Sequence, residues 1–120
     1  MVLQNKPIPL RGDIWLVNFS PAVGPEIREP HPALVVSVDD LNKSSWGLIV
    51  VCPISTFRKE RPFRLHVPIS PPEGGIQHIS IIRCDQVKSI SIQRFSEKWG
   101  TISTDTMQHV NYILRRLLGL

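Results

Sequence analysis

GLIVVCPI, residues 47–54, is a continuous apolar run rich in β-branched side chains, opened by a glycine and interrupted near its end by a proline. It is too short for a typical helix and reads as a buried strand. Ala33 to Val38 (ALVVSV) repeats the pattern, and Asp13 to Phe19 (DIWLVNF) adds an aromatic-rich strand. Arg64 to Ile69 alternates polar and apolar residues, as a half-buried strand does. Further strands are expected over His78 to Arg83 and around Gln86 to Ser91, after the turn-forming cluster PPEGG. Eleven prolines, none in the last quarter of the chain, argue against long helices before that point. The C-terminal segment differs: Ser103 suits an N-cap, and Met107, Val110, Ile113, Leu114, Leu117 and Leu118 fall on one helical face. Asp105 in the first turn and Arg115 and Arg116 in the last complement the helix dipole. Short strands followed by one terminal helix predict a mainly β (α+β) fold, a small barrel or strongly bent sheet closed by a helix.

The chain of 120 residues, 42% of them apolar, fits a single domain spanning 1–120 that needs no disulfide staples. No charged segment leads into a long apolar stretch at the N-terminus, and no run approaches the roughly 18 apolar residues of a membrane span. A soluble, cytoplasmic protein without membrane contact is expected, with Cys52 and Cys84 as reduced core residues. The net charge of +4 favours polyanionic partners. It gathers in FRKERPFRLH (57–66), either as a solvated loop or as a phosphate-contacting rim.

The spacing of the four histidines and two cysteines matches no metal-ligand pattern, so neither metal nor cofactor is expected. A phosphate-cradling glycine loop and a serine-nucleophile elbow are missing too. Polar residues at strand ends remain. His31 closes the proline-stiffened loop GPEIREPHP (24–32), and Ser55 and Thr56 end the 47–54 strand. If they converge beside the basic segment, they suit phosphodiester cleavage: a histidine to move protons, arginine and hydroxyl donors for charge building on phosphorus. A histidine hydrogen-bonded to backbone and a serine satisfying its own turn are the alternatives.

RGDIWLVNFSPAVGPEI (11–27), HPALVVS (31–37), VCPIST (51–56), CDQVKSI (84–90) and the following QRFSEKWGTIS resemble, in order and spacing, the PemK/MazF toxins of bacterial toxin–antitoxin systems. The resemblance implies an SH3-like, CcdB-like β-barrel with a C-terminal helix. It also implies a homodimer that cuts single-stranded RNA without metal, leaving 2′,3′-cyclic phosphate and 5′-hydroxyl ends, and that a cognate antitoxin protein silences. It places the proposed catalytic hydroxyl on Ser55 and a loop glutamate on Glu26. The departure is His31, where members usually carry arginine before P-A-L-V. On this reading His31 transfers protons, Arg28 binds phosphate, Ser55 adds a hydrogen bond and Glu26 orients an arginine or contacts RNA. Arg11, Thr56, Arg58, Arg61, Lys88 and Arg94 form the outer RNA surface. The replaced arginine leaves an alternative, a catalytically weak member that binds nucleic acid or protein.

Overall fold

The computed structural model describes residues 7–21, 23–27, 29–58 and 64–120. In chain order the elements are β1 (Asp13–Val17), β2 (His31–Val35), α1 (Asp39–Asn42), β3 (Leu48–Thr56), β4 (Val67–Ile69), β5 (Ser80–Ile82), β6 (Lys88–Ser91), β7 (Phe95–Thr101) and α2 (Thr104–Leu118). All pairings are antiparallel, in the order β4-β5-β3-β2-β1-β7, with β6 also on β3. β3 takes two partners along one edge: residues 48–51 pair with β6 and 54–56 with β5. The end strands β4 and β7 do not pair with each other among the described residues. The expected barrel is therefore an open, strongly bent sheet.

The apolar runs are continuous because these strands are buried on both faces. Ile14, Leu34, Cys52 and Ile54 enter one core, which α2 covers with Val110 and Ile113. Their neighbours Trp15, Val17, Ala33, Val35, Ile49 and Val51 enter a second core with Phe95. There the Trp15 and Phe95 rings meet edge to face, 5.9 Å between centroids. Cys52 and Cys84 are buried and free, as expected for core thiols.

The predicted strands all form, with shifted ends. The strand expected at Arg64 to Ile69 shortens to β4, because β5 offers it only three residues to pair with. Strand β7 has no counterpart in the sequence-based expectations: Ser96, Glu97 and Lys98 are exposed, so its edge carries no apolar alternation. α2 begins as expected, with Ser103 Oγ accepting from the Thr106 N–H at 3.1 Å. The Ser103 N–H donates to Glu73 at 2.9 Å, so a carboxylate from a distant turn completes the cap.

The Arg11-Gly12-Asp13 tripeptide ties the entry to β1 to three other elements. The Asp13 carboxylate accepts from the Leu10 N–H (2.9 Å) and the Trp15 indole (3.3 Å), and from Thr101 on β7 (3.3 Å). The Arg11 guanidinium donates to the Val36 carbonyl and to Asn111 on α2, and its backbone N–H to Asp39 on α1 (2.8 Å).

The PPEGG turn presses onto β7. A Cβ at Gly75, where φ is +79°, would lie 2.4 Å from the Trp99 carbonyl oxygen, whereas at Gly24, with φ of +60°, it would meet nothing within 4 Å. Gly75→Ala therefore combines a backbone clash with a left-handed penalty and is expected to cost about 3 kcal/mol in denaturant unfolding. Gly24→Ala carries the penalty alone, about 1 kcal/mol. Equal losses for the two would refute the close approach as the reason for glycine at 75.

Candidate active site

Strand pairing builds the site. β2 and β3 run antiparallel with Ala33 opposite Pro53, and that register continued to the start of β2 brings His31 level with Ser55. The His31 Nδ1–H donates to the Ile54 carbonyl at 3.2 Å, since a carbonyl only accepts. In the neutral ring this leaves Nε2 as a lone-pair nitrogen. On the other edge of β3, Ser55 lies opposite Ile81 and Thr56 opposite Ser80.

His31, Ser55, Thr56 and Arg58 line one side of a cavity of about 540 Å³, completed by His66, Ile81 and Arg83. No acid lies among these described lining residues, so the cavity has cationic walls. A smaller hollow of about 90 Å³ adjoins it, sharing His31, Ser55 and Thr56 and adding Gln77, His78 and Trp99 among others.

Asp85 stands behind the wall. Arg83 donates to it through Nε (3.0 Å, to Oδ1) and Nη2 (2.9 Å, to Oδ2), a two-bond fork, and His66 Nε2 lies 3.0 Å from the same Oδ1. Burial opposes ionisation of Asp85, but the Arg83 hydrogen bonds and charge, with His66, outweigh it and hold the carboxyl below its usual range. Burial, with the nearby Arg83 charge, lowers the pKa of His66 by more than Asp85 raises it.

The sequence-predicted residues divide three ways. His31, Ser55, Thr56 and Arg58 come together at the cavity. Arg28 and Arg61 lie outside the described residues. Glu26, Arg11, Lys88 and Arg94 are placed elsewhere. The Glu26 carboxylate turns back to accept from the Val23 N–H at 2.7 Å, closing its own loop. The Arg11 guanidinium is engaged by Val36 and by Asn111 on α2, which corrects its assignment to an outer RNA surface: both its Nη atoms are directed at partners within the fold. Lys88 sits 5.6 Å from the centroid of the Phe19 ring, and Arg94 donates to the Asn18 (3.0 Å) and Ser20 carbonyls. These two line a separate hollow of about 330 Å³.

Sequence reasoning missed His66, Arg83 and Asp85. The i, i+2 spacing of Arg83 and Asp85 was a signal for an ion pair, but the place of Arg83 on the wall of the cavity that His31 lines depends on the pairing of β3 with β5.

Comparison with known proteins follows the same outline. The sequence profile of a family described as PemK-like, MazF-like toxin of type II toxin-antitoxin system matches residues 10–118. The chain is 32% identical over 115 residues to Endoribonuclease MazF9 of Mycobacterium tuberculosis, covering 92% of this chain and 96% of that protein. The crystal structure of MazF (Form-I) from Deinococcus radiodurans superposes with a TM-score of 0.82 at 26% identity, covering 95% of this chain and 99% of that one. An endoribonuclease in complex with its cognate antitoxin, from a mycobacterial species, shares the fold with a TM-score of 0.73 at 19% identity, covering 94% and 95%.

The folded pKa of His66 lies below the unfolded value of about 6.5, so the unfolded chain binds its proton first and stability falls as pH drops below that point. Asp85 acts in the same direction at lower pH. Its contribution is full above about 3.9 and is lost as pH falls towards its depressed folded value. NMR titration of His66 is expected to give a midpoint below about 6.5, and lower still in Asp85→Asn, where the favourable carboxylate charge is gone. A midpoint above that value, or an upward move in the variant, would overturn this electrostatic picture.

Proposed function

The chain belongs to the PemK-like, MazF-like toxins of type II toxin–antitoxin systems, and from that membership and the cavity we propose that it is a sequence-specific, metal-independent endoribonuclease acting on single-stranded RNA. The observation that carries the reading is the convergence of a histidine, two hydroxyls and arginine on one cavity with no acid among its described lining. That set matches what in-line cleavage by the neighbouring 2′-hydroxyl requires. The 2′-oxygen attacks phosphorus, the 5′-oxygen leaves, and a cyclic phosphate and a 5′-hydroxyl result, with one P–O bond formed and one broken. His31 Nε2 exchanges the proton, Ser55 donates to a phosphoryl oxygen, and cationic side chains balance the charge that builds on it. The dependence on a 2′-hydroxyl separates RNA from DNA.

The related mycobacterial endoribonuclease has been solved with its cognate antitoxin. We extend a corresponding partner to this chain: an antitoxin segment that orders on the groove and blocks it. A homodimer working in the cytoplasm, where the substrate is, completes the reading. Among the described residues no helix is long and apolar enough to cross a membrane.

Incubation of the purified protein with mixed RNA in EDTA is expected to give discrete fragments bearing cyclic phosphate ends. Intact RNA that remains bound would replace cleavage with a binding role. His31→Ala is expected to lower the rate by at least about 100-fold, as for loss of a general acid or base. Ser55→Ala should cost about tenfold, the worth of one hydrogen bond made to the transition state. Unchanged turnover in His31→Ala would remove the histidine from the chemistry.

A further inference from the structure

We propose that Arg83, held by Asp85, is the cation that binds the scissile phosphate and stabilises the charge developing on it; the inference rests on the endoribonuclease reading above.

Three observations support it. Arg83 lines the same cavity as His31 and Ser55, one residue past β5 and level with Pro53, two residues before the Ser55 hydroxyl on β3. Its backbone is fixed on both sides, the N–H donating to the Pro53 carbonyl at 2.7 Å and the carbonyl accepting from the Gln86 N–H at 3.0 Å. Its guanidinium is fixed as well, by the two-bond fork to Asp85, whose Oδ1 also lies 3.0 Å from His66 Nε2. An arginine carries five N–H donors, and this fork engages Nε and one on Nη2. Nη1 is left to meet a phosphoryl oxygen in the cavity.

Orientation is what distinguishes Arg83 from Arg58. Arg58 is exposed, two residues beyond the end of β3, and a long side chain there must be ordered at the moment of reaction. A guanidinium already aimed and held stabilises the transition state without that reorganisation. Asp85 does not reach the phosphate. It is a positioning residue, and because its carboxylate stays ionised it holds Arg83 without giving up the fork. An ordinary surface ion pair between residues 83 and 85 would make the same two bonds, so the test must read catalysis and not stability.

The experiment compares single-turnover cleavage by the wild type, Arg83→Gln, Arg83→Lys, Arg83→Ala and Asp85→Asn in EDTA. Thermal melts confirm folding, and affinity is measured with a 2′-deoxy analogue that cannot react. Arg83→Gln is expected to lower kcat by roughly 100-fold or more, as for removal of a preorganised donor to a developing oxyanion. Its affinity for the analogue should fall far less. Arg83→Lys, which keeps the charge but cannot form the fork, should fall between the two. Added guanidinium is expected to restore cleavage to Arg83→Ala, and to fail when Asp85→Asn is combined with it, a result that a structural ion pair would not produce. Wild-type cleavage together with wild-type kcat in Arg83→Gln would overturn the inference and leave the endoribonuclease intact. Lack of cleavage by the wild type would overturn the reading beneath it. Should Arg83→Gln fail to fold, Arg83→Lys decides: a full wild-type rate there refutes a role for the oriented fork.

Discussion

Strand β3 passes through both cores and changes its neighbour on one edge halfway along, and the rest of the molecule is arranged around that change. Residues 48–51 are satisfied by β6 and residues 54–56 by β5. Between them, Pro53 accepts a hydrogen bond from the Arg83 N–H and has no N–H to return. A regular ladder cannot continue across such a residue, so a second strand takes over. The Cys52 side chain is buried with Cys84 in the same core. Apolar contact thus holds together what the ladder does not.

The change of partner produces the site. Beyond Pro53, β3 carries Ser55 and Thr56 between β5 on one edge and the start of β2 on the other. Hydroxyls at a strand end, a histidine at a strand start and an arginine just past β5 meet because the β2–β3 and β3–β5 registers bring His31 level with Ser55 and Arg83 level with Pro53, two residues away. The proline-rich loop before His31 contributes by closing on itself: Glu26 caps the turn at Val23, and Ile27 N–H donates to Gln86 at 3.1 Å, next to Asp85. The mixed charge of that loop serves its shape at least at Glu26, whose carboxylate is spent on the backbone.

Local pattern made much of this legible in the sequence. The 47–54 run, the aromatic strand after Asp13 and the capped terminal helix are specified by side-chain periodicity, and each formed near its expected place. Strand β7 escaped because an edge strand that exposes Ser96, Glu97 and Lys98 has no alternation to read. Arg11 was misread for a related reason. Its charge is visible in the sequence, but its partners are a carbonyl 25 residues away and an amide 100 residues away. The cavity was half legible: strand-end hydroxyls and a loop histidine announce themselves, whereas His66, Arg83 and Asp85 acquire meaning only from pairing between β3 and β5.

A histidine at position 31 has a chemical consequence for the rest of the cavity. Its neutral ring accepts a proton, which an arginine does not, but it carries no fixed charge and presents a single nitrogen once Nδ1 is bound to Ile54. A pentacoordinate phosphorane bears more negative charge than the phosphodiester it comes from, so the fixed cation must be found elsewhere on the wall. It is most effective when held, since a mobile cation must be ordered at the moment of reaction. Among the described lining residues, Arg83 meets both conditions, because Asp85 sits behind it and not in the cavity. The acid that would have cancelled the charge instead orients it, and proton transfer and charge stabilisation are thereby divided between opposite walls.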